Sequence, residues 1–219
     1  MWLPKPAGAA GAPSSCPIRR ARRDFELNAF LISAALVAIA EIGDKTQLLA
    51  IILAARFRRP VPILLGIFCA TILNHAAAAA LGVVVAEFLT GPLFQAAVGA
   101  SFLAMALWAL VPDKEDEGAA ARTTGSVFLT TLVAFFLVEI GDKTQIATTL
   151  LGARFHDVLT VAAGTTLGMM AANTPAVFLG EAATRVVPLR YVRLGAAALF
   201  AALGAWILAS AFLLRGFSF

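Results

Sequence analysis

The chain has 219 residues, of which 60% are hydrophobic and 14% are charged, and its mean hydropathy is +0.87. Soluble domains of this length are far less apolar, so the composition predicts an integral membrane protein. The formal net charge of +4 comes largely from arginines beside the apolar segments, which is typical of membrane proteins and argues against a nucleic-acid partner.

The first 24 residues are rich in Ala, Pro, Gly and Ser and end in a run that contains Arg19, Arg20, Arg22 and Arg23. This composition predicts a disordered basic tail. A signal peptide is the alternative, because Ala38-Ile39-Ala40 resembles a cleavage site. An equivalent apolar segment lies deep inside the chain at residues 135–138 and precedes the same motif, which favours a retained helix.

Six apolar stretches follow the tail, and each reaches the ~20 residues that a helix needs to cross ~30 Å of hydrocarbon. They span residues 28–55, 61–88, 93–111, 126–153, 158–180 and 194–214. The ten-residue segments of alternating polarity that are typical of a β-barrel are absent. We therefore predict an all-α membrane protein with six transmembrane helices.

The chain contains an internal repeat. The heptapeptide Glu-Ile-Gly-Asp-Lys-Thr-Gln occupies residues 41–47 and again residues 139–145, and at the same offset Gly66 matches Gly164 and Trp108 matches Trp206. The repeated glycines are interpreted as close-packing positions between helices. Because three helices per half is an odd number, the halves are expected to be inverted relative to each other. We predict repeats over 25–112 and 125–215, joined by an acidic loop over 113–124.

The repeated motif places charge inside apolar segments, where an ionisable residue is by default a candidate functional residue. At about 100° per residue, Glu41, Asp44 and Gln47 would share one face of a helix. Each motif-bearing stretch would be about 42 Å long as a straight helix against a ~30 Å core, so it must tilt or break near Gly43 and Gly141. Inverted repeats would bring both motifs together near the midplane.

The charge balance of the two motifs favours a divalent cation. Four carboxylates and two lysines leave a charge of minus two, and an all-oxygen set suits Ca²⁺, Mg²⁺ or Mn²⁺. The candidate ligands are Glu41, Asp44, Gln47, Glu139, Asp142 and Gln145. Two protons would neutralise the site equally well, since clustered carboxyl groups in a low dielectric bind protons more readily. Exchange of protons for a divalent cation is therefore a hypothesis.

Other polar residues in the apolar stretches are candidates for supporting roles. Lys45 and Lys143 are interpreted as structural counter-charges, and static i to i+4 salt bridges within each motif are the alternative to an ion site. Asn173 would either unwind the fifth helix and lend an oxygen or lie at a packing kink. Its repeat equivalent His75, with Asn74 before it, is either a ligand, a proton relay or a polar residue satisfied between helices.

Two copies of Glu-x-Gly-Asp-Lys-Thr in a six-helix chain resemble the UPF0016 family, also called the GDT1 family, over about residues 25–215. The resemblance implies a transporter, not an enzyme, that moves Mn²⁺ and Ca²⁺ against protons and holds no permanent cofactor, the ion being transported substrate. The resemblance also implies that the ion site is formed by Glu41, Asp44, Glu139 and Asp142. The bacterial relatives suggest manganese export across a bacterial plasma (inner) membrane, by the single chain or by a homodimer.

Two other classes of function stay open from the residues alone. Compact three-plus-three membrane proteins also export amino acids or small solutes, although the excess of acidic groups argues against neutral cargo. An intramembrane metal-dependent enzyme could use Glu and Asp as acid and base. The sequence contains no histidine-rich metal motif that would support such an enzyme.

Overall fold

The computed structural model describes residues 17–111, 125–179 and 189–213. These parts contain eight α-helices and no β-strand, so the all-α prediction is confirmed for them. In chain order the helices are α1 (Pro17–Glu41), α2 (Lys45–Phe57), α3 (Pro60–Phe88), α4 (Pro92–Ala109), α5 (Val127–Glu139), α6 (Lys143–Phe155), α7 (Val158–Leu179) and α8 (Leu189–Leu213).

Each of the two motif-bearing stretches is divided into two helices. The first stretch forms α1 and α2, and the fourth forms α5 and α6. Of the two predicted outcomes, a tilt or a break, the structure shows the break, and α1 and α2 are bent by 68°. Gly43 and Gly141 adopt φ values of 77° and 76°, which glycine reaches without a steric cost.

Helix α1 begins at Pro17, inside the segment that the sequence predicts to be a disordered tail. The prediction was wrong for residues 17–24, which are helical. Proline is favoured in the first helical turn and arginine is a good helix former, and Arg22 Nε donates to Glu26 Oε1 at 2.8 Å one turn later. Residues 1–16 and the predicted acidic loop at 113–124 lie outside the described part of the chain.

Length and hydropathy qualify several helices as membrane spans. Three do so individually: Pro60–Phe88, Pro92–Ala109 and Arg190–Phe212 within α8. The bent pair of α1 and α2 qualifies as a fourth when it is counted as one span. Many large apolar side chains on these helices are exposed, as expected for contact with lipid. The chain is a multi-pass membrane protein, and six spans in an inverted arrangement remain a prediction.

The helices pair in the same way in both halves of the sequence. Helices α1 and α2 of the first half both pack on α7 of the second half. Their equivalents α5 and α6 both pack on α3 of the first half. The last helices of the two halves, α4 and α8, pack on each other. A Cβ at Gly66 would lie 2.9 Å from the Phe128 carbonyl oxygen, and one at Gly164 would lie 2.6 Å from the Phe30 carbonyl oxygen. These are equivalent positions in the repeats, and both glycines allow close packing as predicted.

Two apolar clusters fix the helices that carry the motifs. The larger joins α1, α3, α4, α6, α7 and α8 and contains the fully buried Phe102, Phe200 and Leu151. The smaller joins α2, α3, α5 and α7 around Leu53 and Phe135. Helices α2 and α6 start at the helix breaks, and each is anchored in one of these clusters.

Candidate metal centre

The first helix break is closed by bonds within the motif. The Asp44 amide donates to the Glu41 carbonyl at 3.1 Å, and the Gly43 amide donates to Gln47 Oε1 at 2.8 Å. Gln47 Nε2 donates to the Ala172 carbonyl of α7 at 3.0 Å. Both ends of the Gln47 amide therefore hold the break, and the oxygen predicted to be a metal ligand is already bonded to Gly43.

The second break repeats this arrangement. The Asp142 amide donates to the Glu139 carbonyl at 3.1 Å, and the Gly141 amide donates to Gln145 Oε1 at 2.7 Å. Asp142 also caps α6, since its Oδ2 accepts from Thr144 N at 3.3 Å and from Thr144 Oγ1 at 3.1 Å. Thr144 is a supporting residue that the sequence analysis missed, although its place in the motif could have indicated a cap.

Three carboxylates converge where the two breaks meet. Ligand oxygens of Glu41, Asp44 and Asp142 all lie within 4.8 Å of one another. The residues are buried, with exposed fractions of 0%, 6% and 3%. Asp44 and Asp142 are the N-cap residues of α2 and α6, so two helix N-termini lie at the cluster and their dipoles favour negative charge there. The structure thus brings together the first motif and the second.

Glu139 is held differently from its repeat equivalent Glu41. Thr71 Oγ1 donates to Glu139 Oε1 at 3.1 Å and Asn74 Nδ2 donates to Glu139 Oε2 at 3.2 Å, so both oxygens have partners on α3. Among the described residues, Glu41 Oε1 receives one long hydrogen bond of 3.5 Å, from Asn173 Nδ2 on α7. The sequence analysis missed Thr71, which lies three residues before Asn74 on the same face of an apolar helix.

Lys45 forms an ion pair across the repeats. Its Nζ lies 3.2 Å from Asp142 Oδ1, and its side chain is 20% exposed. Helix α1 ends at Glu41 and α2 begins at Lys45, so these two residues do not lie on one continuous helix. The same break separates Glu139 from Lys143 in the second motif. The pair of Lys45 and Asp142 therefore connects the two motifs.

Lys143 makes a different set of contacts. Its Nζ donates to the Val111 carbonyl at 3.1 Å and lies 5.7 Å from the centre of the Trp108 ring. Both contacts are at the C-terminal end of α4, where carbonyl oxygens favour a cation. The contacts of Lys143 thus include the end of a neighbouring helix, whereas those of Lys45 include Asp142 of the carboxylate cluster.

The remaining predicted residues, Asn173 and His75, are buried. Asn173 donates to the Met169 carbonyl at 3.1 Å, and its Oδ1 has no hydrogen-bond partner among the described residues. Helix α7 continues through Pro175, so it does not unwind at Asn173. His75 is 1% exposed, and within the described ranges neither of its ring nitrogens has a hydrogen-bond partner.

The family profile described as "Divalent cation/proton antiporter GDT1" matches residues 29–117 and again residues 127–214. The chain belongs to the GDT1 family. The two matches coincide with the two sequence repeats, each containing one motif. Membership places this GDT1-family chain among transporters of divalent cations and not among enzymes.

A curated relative supports the same class. The chain is 50% identical over 175 residues to a protein of Vibrio cholerae serotype O1 that is named "Putative manganese exporter", with 80% of this chain and 87% of the relative covered. No solved structure shows a significant match to this GDT1-family chain.

The donor set of this GDT1 protein fits a divalent cation as transported substrate. Glu41 Oε2 is buried and has no hydrogen-bond partner within the described parts of the chain. A buried carboxylate oxygen without a partner is costly unless a proton or a cation neutralises it. Asp44 and Asp142 contribute further oxygens within reach, and hard divalent cations prefer such ligands.

A small cavity lies beside the first motif. It has a volume of about 20 Å³, enough for one water molecule, and it touches Gly43 and Asp44 at the first break. Its other walls include Ala109 at the end of α4, Lys143 at the start of α6 and Arg193 near the start of α8. Two basic residues therefore line the cavity beside Asp44, on the side where α4 ends and α8 begins.

Proposed function

We propose that this GDT1-family chain is a secondary transporter that exchanges a divalent cation for protons, with Mn²⁺ as the exported ion and Ca²⁺ as a second substrate. The observation that supports it is the convergence of Glu41, Asp44 and Asp142 at two helix N-termini, with Glu41 Oε2 lacking a protein partner among the described residues. A structural ion-pair network would not leave a buried carboxylate oxygen in this state.

In this proposal the cation binds to Glu41, Asp44 and Asp142. Glu139 is the fourth acidic residue, held close by Thr71 and Asn74, and Gln47 and Gln145 shape the site by fixing the breaks. With two lysines the four carboxylates carry a net charge of minus two, which one divalent cation or two protons would cancel. Cation and protons thus compete for the same oxygens, which is the physical basis of exchange.

The proposed architecture has six membrane crossings in two inverted repeats over 25–112 and 125–215. The crossings are the bent pair of α1 and α2, then α3 and α4, then the pair of α5 and α6, then α7 and α8. The repeated helix pairings and the equivalent contacts at Gly66 and Gly164 support a two-fold relationship. Broken helices at the midplane are a recurrent way to bind ions in such transporters.

The choice of Mn²⁺ as the main cargo is supported by the name of the Vibrio cholerae relative. The oxygen ligands suit both Mn²⁺ and Ca²⁺, so the donor set alone does not select between them. The proposed location is a bacterial plasma membrane. There the protein would export excess Mn²⁺ in exchange for protons that move inward.

The test is Mn²⁺ and Ca²⁺ flux in proteoliposomes with and without an imposed pH gradient, together with an internal pH dye. Wild type is expected to move cation and protons in opposite directions, and Asp44→Asn and Asp142→Asn are expected to lose both fluxes. Glu87→Gln is the matched control, because Glu87 is an exposed acidic residue at the end of α3. Cation flux that ignores the pH gradient would overturn the antiport, and folded protein that moves neither ion would overturn the cation site.

A further inference from the structure

Arg154, in the last turn of α6, donates no hydrogen bond to an acceptor among the residues that the structure describes. The side chain is half-buried and its Cζ lies 5.2 Å from the centre of the Trp206 ring. Its Nε is buried and has no hydrogen-bond partner in the described ranges. A guanidinium carries five N–H donors, and burying such donors without an acceptor is unfavourable. The buried Nε of Arg154 is therefore a donor without an acceptor in the described part of the chain, and it could be satisfied by a bound anion.

A cavity of about 300 Å³ adjoins Arg154. It lies between the end of α3, the start of α4 and the end of α6, and it has room for about ten water molecules. Its polar and backbone lining comes from Thr90, Gly91, Gln95, Arg154 and His156. This space is much larger than the cavity at Asp44, and the transport mechanism proposed above does not use it.

The electrostatics of the cavity favour an anion. Arg154 supplies a positive charge, and the N-terminus of the 18-residue helix α4 supplies the positive end of its dipole at Gly91. His156 adds a further side chain that can donate a hydrogen bond. No Asp or Glu is present among the described residues that line the cavity. Two positive groups, Arg154 and the N-terminus of α4, thus act on the same space, and His156 adds a hydrogen-bond donor.

The surroundings of the cavity favour an amphiphile over a free ion. One wall is apolar and includes Leu89, Phe94 and Ile207. Beside it, Phe88 and Leu93 are 83% and 77% exposed at the ends of α3 and α4, where a membrane-spanning chain meets lipid. A ligand with a phosphate group and attached acyl chains would match both the basic cavity and its apolar border.

We propose that this cavity binds the phosphate headgroup of one anionic phospholipid, with Arg154 as the main anchor and the N-terminus of α4 as the second. Bound there, the lipid bridges the start of α4 and the end of α6. A basic side chain that simply reached the bulk headgroup layer would not need a cavity, and it would retain no lipid of defined number.

The test is native mass spectrometry of the purified full chain with added phosphatidylglycerol, phosphatidylcholine or inorganic phosphate. Wild type is expected to retain one phosphatidylglycerol at activation energies that remove phosphatidylcholine. Arg154→Gln is expected to bind phosphatidylglycerol at least about tenfold more weakly, because charge-assisted hydrogen bonds to the phosphate are lost. Arg56→Gln is the matched control, since Arg56 occupies the equivalent position in the first repeat and is exposed.

A second variant keeps the proposal testable if Arg154→Gln does not fold. Thr90→Trp fills the cavity from an exposed position and leaves Arg154 in place, and it should also release the lipid. Equal retention in wild type, Arg154→Gln and Thr90→Trp would overturn the site. Displacement of phosphatidylglycerol by inorganic phosphate at similar concentration would overturn the lipid assignment in favour of a soluble anion.

Discussion

Lys45 and Asp142 form an ion pair that joins the two motifs, with Nζ and Oδ1 3.2 Å apart. The residues are 97 positions apart in the sequence and belong to different repeats. Because the Asp142 oxygens also belong to the carboxylate cluster, the pair links the packing of the repeats to the charge of the proposed ion site. A cation that binds Asp142 must compete with Lys45.

Removing this ammonium should make stability depend on the divalent cation. For Lys45→Gln we expect a loss of about 3 kcal/mol in the free energy of unfolding without metal, since Asp142 would keep a buried charge without its partner. Added Mn²⁺ should restore more stability to this variant than to wild type, because ligand binding to the folded state stabilises it. Unfolding in SDS, followed by tryptophan fluorescence with and without Mn²⁺, measures both effects.

A double-mutant cycle separates the pair from its surroundings. Lys45→Gln and Asp142→Asn should show a coupling energy of more than about 1 kcal/mol, whereas Lys45→Gln and Glu87→Gln should be additive. Additivity in the first pair would contradict the ion pair.

Backbone strain at the second break can be tested without altering packing. Gly141 has a φ of 76°, and among the described residues no atom lies within 4 Å of a Cβ built on it. Gly141→Ala should cost about 1–2 kcal/mol because alanine disfavours this conformation, and Gly141→Asn should cost less. Thermal unfolding of both variants gives the comparison, and equal losses would argue against a strained break.

The two motif glutamines should differ in their contribution to stability. Gln47 is buried and bonded both to Gly43 and to Ala172, whereas Gln145 is half-buried and caps Gly141. We expect Gln47→Leu to cost about 2–3 kcal/mol and Gln145→Leu about 1 kcal/mol. Gln145→Glu retains an acceptor for Gly141 and serves as the control. Chemical unfolding measures the stability loss of each variant. A larger loss for Gln145→Leu than for Gln47→Leu would contradict the prediction.

The equivalent helix contacts should respond alike to added volume. Gly66→Ala and Gly164→Ala are each expected to destabilise the protein by about 1–3 kcal/mol, because the new Cβ meets a carbonyl of the partner helix. Gly195→Ala is the control, since among the described residues its Cβ would meet only Ile39 Cγ2, at 3.7 Å, and alanine favours a helix. A loss at only one of the two repeat positions, measured by thermal unfolding, would argue against equivalent packing.

The sequence by itself determined the class of the protein and indicated the residues that we propose form its ion site. The hydropathy of the whole chain requires a membrane, since no soluble core could bury so many apolar side chains. The duplicated motif indicates the site, because charge is costly inside apolar segments. The lengths of the two motif-bearing segments required each helix either to tilt or to break near Gly43 and Gly141. The lengths alone did not distinguish between these two outcomes.

The tertiary structure decided which contacts the motif residues make. A helical wheel places Glu41, Asp44 and Gln47 on one face, but the break at Gly43 turns Gln47 into a cap for the backbone. It also decided that Lys45 lies against Asp142 and that Glu41 and Glu139 have different partners on α7 and α3. These contacts join residues far apart in the chain, and their geometry depends on helix packing that no local pattern encodes.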